Sequence, residues 1–208
     1  MPHELLTFTL AITLLTMTPG VDTMLIIRNT IRGGVKDGLV SSLGICSGLF
    51  VHASLSALGI SAILLYSTTA FTLLKIIGAI YLVWLGFNSL KTFYSYKKIK
   101  EIKANHGEFS FLRSIREGFM SNVLNPKTIV FYMAFLPQFI SPEHSALLQS
   151  MLLASLHFII ATIWQGILIY TICKANGFIL RPRVRKSLDF ISGTVMIGLG
   201  VKLFLTHK

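Results

Sequence analysis

The sequence predicts an all-α integral membrane protein, because it combines many hydrophobic residues, few charges and long uncharged stretches. Of its 208 residues, 53% are hydrophobic and only 13% are charged, whereas a soluble domain carries about 25% charged residues. No charged residue lies between Asp37 and Lys75 or between Glu143 and Lys174. A membrane-spanning helix needs about 20 mostly apolar residues. A soluble enzyme is therefore excluded, and the continuously apolar runs argue against a β-barrel, whose strands alternate.

Six membrane-spanning helices are expected. We place them at about 5–27, 39–64, 72–93, 118–140, 147–173 and 188–206. The N-terminus lacks the basic region of a signal peptide, so the first helix should be retained. The whole chain, 1–208, is expected to be one transmembrane domain. It divides into a first repeat at about 1–93, a polar linker at about 94–117 and a second repeat at about 118–208.

Lysine and arginine set the expected orientation. With six spans, fifteen of the 19 basic residues fall on one side of the membrane. They are Arg28, Arg32, Lys36, Lys91, Lys97, Lys98, Lys100, Lys103, Arg113, Arg116, Lys174, Arg181, Arg183, Arg185 and Lys186. The positive-inside rule places them in the cytoplasm and both termini outside. The net charge of +11 is thus mainly a signal of membrane topology rather than of a nucleic-acid partner. We interpret segment 97–103 as a solvated cytoplasmic loop, and contact of this segment with anionic membrane lipid is the alternative.

The two halves of the chain show a weak internal repeat. Without gaps, the third span aligns with the sixth through Leu74 and Leu188, Ile77 and Ile191, Leu85 and Leu199, and Gly86 and Gly200. The first and fourth spans each contain a proline well inside the apolar run, Pro19 and Pro126. Because each half has an odd number of spans, the second must be inverted relative to the first. Inverted repeats with paired interrupted helices are common in secondary transporters.

The two prolines predict half-helices that begin inside the membrane. Proline is unfavourable within a helix but well placed at its first position, after a capping residue such as Thr18 or Asn125. Such a helix start offers free backbone N–H groups that favour an anion, for instance a carboxylate. A simple proline kink in a continuous helix is the alternative interpretation.

Asp22 and Lys127 follow the two prolines and are the leading functional candidates. A charge at the membrane centre costs about 2.5–3.5 kcal/mol on insertion scales, so both should face the bundle interior. They form either a structural ion pair or a clamp for a zwitterion, with Asp22 near the ammonium and Lys127 near the carboxylate. We favour the clamp. The candidate substrate-binding residues are Thr18, Pro19, Gly20, Asp22, Asn122, Asn125, Pro126, Lys127 and Gln138.

Other polar and small residues have structural interpretations. Taken singly, the side-chain amides of Gln165 and of the candidate residues more often form hydrogen bonds between helices than line a polar path. His52 and His157 lie near the middles of the second and fifth spans, where packing is the favoured interpretation and a proton relay the alternative. Gly44 and Gly48 form a GxxxG pattern, which predicts close helix packing within the protomer or between protomers of a homodimer.

Several chemical signatures are absent from the sequence. It contains no GxxxxGK[ST] phosphate loop, no Cys/His cluster with metal-ligand spacing and no Ser-His-Asp order. Two cysteines are too few for a disulfide framework or a four-thiolate site. We therefore expect no catalytic residues, no cofactor and no metal.

Motifs along the whole chain resemble the LysE/RhtB family of amino-acid exporters. They are segments 18–22 (TPGVD), 38–48 (GLVSSLGICSG), 75–82 (KIIGAIYL) with Leu85-Gly86, and, most specifically, 119–127 (FMSNVLNPK) followed by 136–139 (LPQF). The resemblance implies secondary-active export of an amino acid or close derivative across the bacterial inner membrane, with protons as the coupling ion. Where the family often has Pro-Gly-Pro, this chain has Pro-Gly-Val, so the rigidity of a second proline is missing.

Two other functions fit the same six-span pattern. A thiol-redox conduit is one, because Cys46 and Cys173 lie one in each half. A small-solute channel is the other, since it needs no alternating access. Saturable flux that depends on a proton gradient separates an exporter from a channel.

Overall fold

The computed structural model describes residues 2–66, 68–94, 108–174 and 182–205, which form only helices and their connections. The described helices are α1 (Pro2–Met17), α2 (Val21–Tyr66), α3 (Thr68–Tyr94), α4 (Phe111–Val123), α5 (Pro126–Ala134), a 3-10 helix (Leu136–Phe139), α6 (Ala146–Cys173) and α7 (Pro182–Leu205). The all-α prediction is confirmed. The greater part of the predicted linker 94–117 lies outside the described residues.

The first helix break lies where the sequence predicts it but is built differently. Thr18, Pro19 and Gly20 separate α1 from α2. The Thr18 hydroxyl donates to the Leu14 carbonyl at 2.7 Å, so it belongs to the end of α1. The prediction that Thr18 caps the following helix is therefore wrong. Gly20 precedes α2 instead, and its carbonyl accepts the first helical bond from Met24 N–H at 3.0 Å.

The second break has the predicted form. Asn125 precedes α5, and its side-chain oxygen accepts the backbone N–H of Lys127 at 3.0 Å. Pro126 occupies the first helical position, where its missing N–H costs nothing. At this site the chain forms a true half-helix start, and the alternative of a kink in a continuous helix is wrong.

The predicted loop at 28–38 is mostly helical. Only Gly33 and Gly34 leave helical geometry there, and Gly34 has a φ of +72° that side-chain-bearing residues rarely adopt. Likewise, α4 begins at Phe111 and α7 at Pro182, several residues before the starts that we predicted from hydropathy. Arginine, lysine and glutamate are good helix formers, so helices continue past the apolar stretches that define the spans.

The helices pack in two groups, one around α2 and one formed by α3 and α7. Helix α2 lies along α4 and α6, while α3 lies along α7, and α1 contacts both α6 and α7. A large apolar cluster is built around Phe8, Phe131 and Tyr132, and a smaller one contains Ile26 and Leu168. Many large apolar side chains also remain exposed, as is typical of helices that face lipid. By length and composition, 21–59 within α2 and the whole of α6 are able to cross a membrane.

The GxxxG pattern forms the contact between α2 and α4. A Cβ at Gly44 would overlap the backbone of α4 at Ile115, and one at Gly48 would lie 2.7 Å from the side-chain oxygen of Asn122. Gly118 of α4 meets the backbone of α2 in the same way. Small residues allow this close approach. The pattern is therefore used inside the protomer, which leaves these glycines unable to form a dimer interface.

Gly44→Ala is expected to lower the thermal midpoint of unfolding, because its methyl group would push α4 away from α2. Gly59→Ala is the matched control: Gly59 lies in the same helix, and no described residue lies within 4 Å of its Cβ position. There, alanine should stabilise the helix by up to about 1 kcal/mol. Thermal unfolding of the purified protein in detergent compares the two variants. A midpoint for Gly44→Ala at or above the wild-type value would contradict the close packing.

Candidate functional site

The two helix breaks lie side by side in the bundle and border a pocket. It encloses about 480 Å³ of space free of protein atoms, including the space at its open mouth. Four of the candidate residues line it: Gly20, Asp22, Asn122 and Lys127. Its other polar or aromatic lining residues are Thr16, Thr23, Thr128, His157, Trp164 and Gln165.

Asp22 lies in the first turn of α2, and three neutral donors hold its carboxylate. The Ser121 hydroxyl donates to Oδ1 at 2.6 Å. The side-chain amides of Asn122 and Asn125 donate to Oδ2 at 3.0 Å each. These bonds position the carboxylate at the pocket without cancelling its negative charge.

Lys127 lies in the first turn of α5 and reaches across to the end of α1. Its Nζ donates to the carbonyl oxygens of Leu15 and Thr18, both at 2.9 Å. The last carbonyls of a helix lack intrahelical partners and carry partial negative charge, so they favour a cation. An ammonium group has three donors, and these two bonds leave a third N–H for a molecule in the pocket.

Asp22 and Lys127 face the same pocket without forming an ion pair. Their side chains make no ion pair with an N···O distance of 4.0 Å or less, unlike Arg28, Arg32, Asp37 and Glu117 elsewhere in the described part of the chain. The alternative of a direct structural ion pair between Asp22 and Lys127 is therefore wrong for this conformation. Opposite charges that share a pocket unpaired are available to the two ends of a zwitterion.

The remaining candidate residues do not line the pocket. Thr18 and Asn125 instead hold the two charged side chains in place through the bonds described above. Pro19 and Pro126 shape the breaks. Gln138 lies in the 3-10 helix, where its side-chain amide donates to the carbonyl four residues earlier at 3.1 Å. Gln138 thus lies away from the pocket that the other candidate residues line or support.

His157 borders the pocket with both ring nitrogens hydrogen-bonded. Nε2 lies 3.0 Å from the Thr16 hydroxyl oxygen, and Nδ1 lies 3.1 Å from the Tyr132 hydroxyl oxygen. Because the Thr16 hydroxyl already donates to the Ile12 carbonyl, its oxygen accepts from Nε2–H. Nδ1 then accepts from the Tyr132 O–H. This pattern assigns a neutral imidazole to His157.

His52 is the second interior histidine. Its Nε2 donates to the backbone carbonyl of Asn122 at 3.0 Å, and its ring centre lies 5.7 Å from that of Tyr132. His52 and His157 are both buried. The interpretation as a packed, hydrogen-bonded histidine is confirmed for His157, whereas Nδ1 of His52 has no hydrogen bond to a described residue.

The face of α6 that lines the pocket was only partly recognised from the sequence. His157, Ala161, Trp164 and Gln165 lie on it at the spacing of successive helical turns. Trp164 was missed, because a lone aromatic residue in an apolar span resembles ordinary lipid-facing or core residues. The available signal was the helical stripe of small and polar residues that continues toward Ser150 in an otherwise apolar helix.

A buried polar network joins α2 to α4 at the basic end of the bundle, which we define as residues 28–37 and 108–117. Arg32 donates twice to Asp37, at 2.8 and 3.0 Å, and lies 3.2 Å from Glu117. The Ser114 hydroxyl also donates to Asp37. Burial raises the pKa of Asp37, but the bonds from Arg32 and Ser114 outweigh it and hold the pKa below its ordinary value.

Comparison with known proteins identifies the family. Residues 13–207 match the model of the LysE type translocator family. The chain belongs to this family. It is therefore a membrane translocator and not an enzyme. The resemblance inferred from segment 119–127 and the other motifs is confirmed.

Relatives of this LysE-type chain match it over nearly its whole length. YrhP, an uncharacterized membrane protein of Bacillus subtilis (strain 168), is 32% identical over 209 residues, which cover 98% of this chain and 100% of the relative. An uncharacterized membrane protein of Vibrio cholerae is 30% identical over 201 residues, or 97% and 96% of the two chains. A homoserine/homoserine lactone efflux protein of Salmonella typhimurium is 27% identical over 196 residues, or 94% and 93%. No solved structure matches the chain significantly.

The Asp37–Arg32 pair should make this LysE-type protein less stable in acid. Because the folded pKa of Asp37 lies below its unfolded value near 3.8, its stabilisation is complete well above that value and is lost as the pH falls through the folded pKa. Asp37→Asn should therefore lower the thermal midpoint near neutral pH, and its difference from wild type should shrink as the pH falls toward and below about 3.8. Thermal unfolding across this pH range measures the difference. The exposed Glu143→Gln is the control, and a pH-independent difference for Asp37→Asn would contradict the assignment.

Proposed function

We propose that the chain exports an amino acid or a close derivative, with the substrate ammonium group near Asp22 and the carboxylate near Lys127. The observation that carries the proposal is the presence of two opposite charges on one pocket, each held by neutral groups. Asp22 and Lys127 are both partly buried, and a charge that is partly removed from water is stabilised by a partner of opposite charge. A zwitterion supplies both missing partners at once, whereas a simple anion or cation supplies one.

The broken helices support the same assignment. Discontinuous helices whose ends meet inside the bundle are the usual substrate-binding elements of secondary transporters. Here the carbonyl end of α1 holds Lys127, and the first turn of α2 carries Asp22. Both charged side chains are therefore attached to short helical ends that are able to move when the bundle changes between inward-open and outward-open states.

The relatives support a small substrate. The Salmonella typhimurium relative is named for efflux of homoserine and homoserine lactone. Homoserine is a small zwitterion, and the pocket offers one charge of the opposite sign to each of its charged groups. We therefore include a neutral amino acid of about this size in the proposal.

Exchange with protons across the bacterial inner membrane is also part of the proposal. Ionisable groups inside a membrane protein are commonly proton carriers. Asp22 lines the pocket, so its carboxylate is the group that would exchange a proton for substrate.

The structure argues against the thiol-redox alternative. The Thr162 hydroxyl of α6 lies 3.5 Å from the sulfur of Cys46 in α2. Cys173 lies eleven residues further along α6, which corresponds to about 16 Å of helix. A disulfide requires Cα atoms within about 7 Å. The two cysteines are thus too far apart in this conformation to exchange electrons as a direct pair.

Asp22→Asn and Lys127→Gln are each expected to reduce transport by about tenfold or more, because each loses a charge-assisted contact with the substrate. Purified protein in liposomes with an acid interior should take up radiolabelled homoserine as protons leave. Counterflow of homoserine, which needs no gradient, measures the same variants without coupling. Exposed charges provide the controls Glu143→Gln and Lys174→Gln, which should transport normally.

The double variant Asp22→Asn/Lys127→Gln decides between binding and structure. If the two charges only stabilise each other, removing both should restore transport. If they bind the substrate, the double variant stays inactive although it is folded and inserted. Near-normal transport by the double variant at matched protein levels would reject the zwitterion clamp. Non-saturable wild-type flux that ignores the pH gradient would instead indicate a channel.

The proposal includes six spans arranged as two inverted repeats in one domain. Contacts between α3 and α7 support the repeat. A Cβ at Gly86 would lie 2.6 Å from the Gly193 carbonyl oxygen, and a Cβ at Gly200 would lie 2.8 Å from the Ala79 carbonyl oxygen. The alignment that pairs Gly86 with Gly200 also pairs Ala79 with Gly193. Replacing each residue by its counterpart in the other half therefore turns one contact into the other, as expected for antiparallel helices related by a two-fold axis.

The proposed orientation places the basic end in the cytoplasm and both termini outside. In a protein with Cys46→Ser and Cys173→Ser, a cysteine at Glu143→Cys should react with a membrane-impermeant maleimide added to intact cells. Lys36→Cys, at an equally exposed position of the basic end, should react only after the cells are permeabilised. The reverse labelling pattern would invert the topology.

A further inference from the structure

Three residues that line the pocket carry a buried hydrogen-bonding atom without a bond to any described residue. One is Asn122, whose Oδ1 lies against Gly48 of α2. The other two are the neighbours Trp164 and Gln165 on α6, through Nε1 and Oε1, and Gln165 as a whole is only 6% exposed. Leaving a buried polar atom unsatisfied costs about 1–3 kcal/mol, and native proteins rarely do so. A molecule in the pocket is the natural partner of both atoms.

The two atoms are complementary to each other. The indole N–H of Trp164 only donates a hydrogen bond, and the amide oxygen of Gln165 only accepts one. A hydroxyl group does both, so its chemistry matches each of the two atoms. The surrounding side chains of Leu49 and Ala161 also line the pocket and suit the methylene groups of a short aliphatic chain.

These atoms lie apart from the group that would hold the substrate carboxylate. Lys127 bonds to Leu15, and the next residue, Thr16, bonds to His157, so Lys127 lies near the level of His157 on α6. Trp164 follows His157 by seven residues, which corresponds to about 10 Å along the helix. The Trp164 and Gln165 atoms are thus placed to meet the far end of a substrate whose carboxylate is at Lys127.

We infer that Trp164 and Gln165 form a subsite for the side chain of the exported amino acid and select a side chain with a hydrogen-bonding group. The inference rests on the proposed function, to which it adds the recognition of the side chain. An apolar side chain would exclude water and leave both atoms unpartnered. This cost is what makes a hydrogen-bonding site discriminate strongly against an analogue that lacks the group.

Binding of two amino acids to the purified protein tests the inference. L-homoserine and L-2-aminobutyrate have the same carbon chain, and only homoserine carries the hydroxyl. Isothermal titration of the wild-type protein in detergent should show homoserine binding about tenfold more tightly, because only its hydroxyl offers a partner to the buried atoms of Trp164 and Gln165. Binding needs no coupling ion, so this readout is independent of transport.

Gln165→Met and Trp164→Phe remove one partner each while keeping similar shapes. Each should weaken the binding of homoserine by about five- to tenfold and leave the binding of 2-aminobutyrate within about twofold of wild type. Unchanged binding of 2-aminobutyrate shows that the fold and the zwitterion clamp are intact. Trp84→Phe is the matched control, because Trp84 is exposed on α3, and it should alter neither affinity.

The control variant also gives a direct reporter of the subsite. The chain has two tryptophans, so Trp84→Phe leaves Trp164 as the only one. Its fluorescence should change saturably on addition of homoserine, with a midpoint that matches the titration. Absence of a change at saturating homoserine would place the bound molecule away from Trp164 and overturn the inference.

The outcomes separate this inference from the proposed function. Equal wild-type affinity for the two amino acids, or equal losses for both in Gln165→Met and Trp164→Phe, would overturn the subsite and leave the clamp standing. An unchanged homoserine affinity in both variants would mean that water satisfies these atoms, which also overturns the subsite. Failure of the wild-type protein to bind either amino acid would overturn the clamp itself.

Discussion

The bonds from Lys127 to the end of α1 hold together the two places where the main helices break. In a hydrocarbon environment, every backbone carbonyl without a partner is costly, and the break after Met17 leaves carbonyls exposed at the end of α1. The Lys127 ammonium satisfies the carbonyls of Leu15 and Thr18. Asn125 contributes from the same segment, because it caps α5 and also donates to Asp22. The two breaks therefore stabilise each other.

This mutual stabilisation also creates the candidate functional site. Asp22 and Lys127 are each held by neutral hydrogen-bonding groups, so their charges remain available at the pocket. Apolar clusters pack around the pocket, which strengthens electrostatic interactions there by excluding water. The basic end of the bundle uses charge differently: Arg32, Asp37 and Glu117 are paired with one another, and they tie α2 to α4 around the break at Gly33 and Gly34. The paired charges stabilise the basic end of the bundle, whereas the charges of Asp22 and Lys127 remain available at the pocket.

In the proposed site, α6 would bind the side chain of the substrate. This helix has a continuous apolar exterior, and its inner face presents His157, Trp164 and Gln165 to the breaks on the other helices. A straight helix is a rigid support, while the half-helices opposite it end inside the bundle. Recognition of the two charges by the breaks and of the side chain by α6 would therefore connect substrate binding to the relative position of the two halves.

The sequence by itself determined the membrane class, the helical content, the positions of both breaks and the family. These features follow from local chemistry: hydropathy, proline geometry and short motifs such as segment 119–127. Only the tertiary structure decided which residues meet across the bundle. In that structure the GxxxG motif of α2 packs against α4, and the Thr18 hydroxyl bonds to α1. Asp22 and Lys127 form no ion pair, and Trp164 lines the pocket. The reason is physical. A side chain's partner depends on how helices cross, and the crossing helices come from segments up to a hundred or more residues apart, as in the contact of Thr16 with His157. No local pattern encodes those crossings.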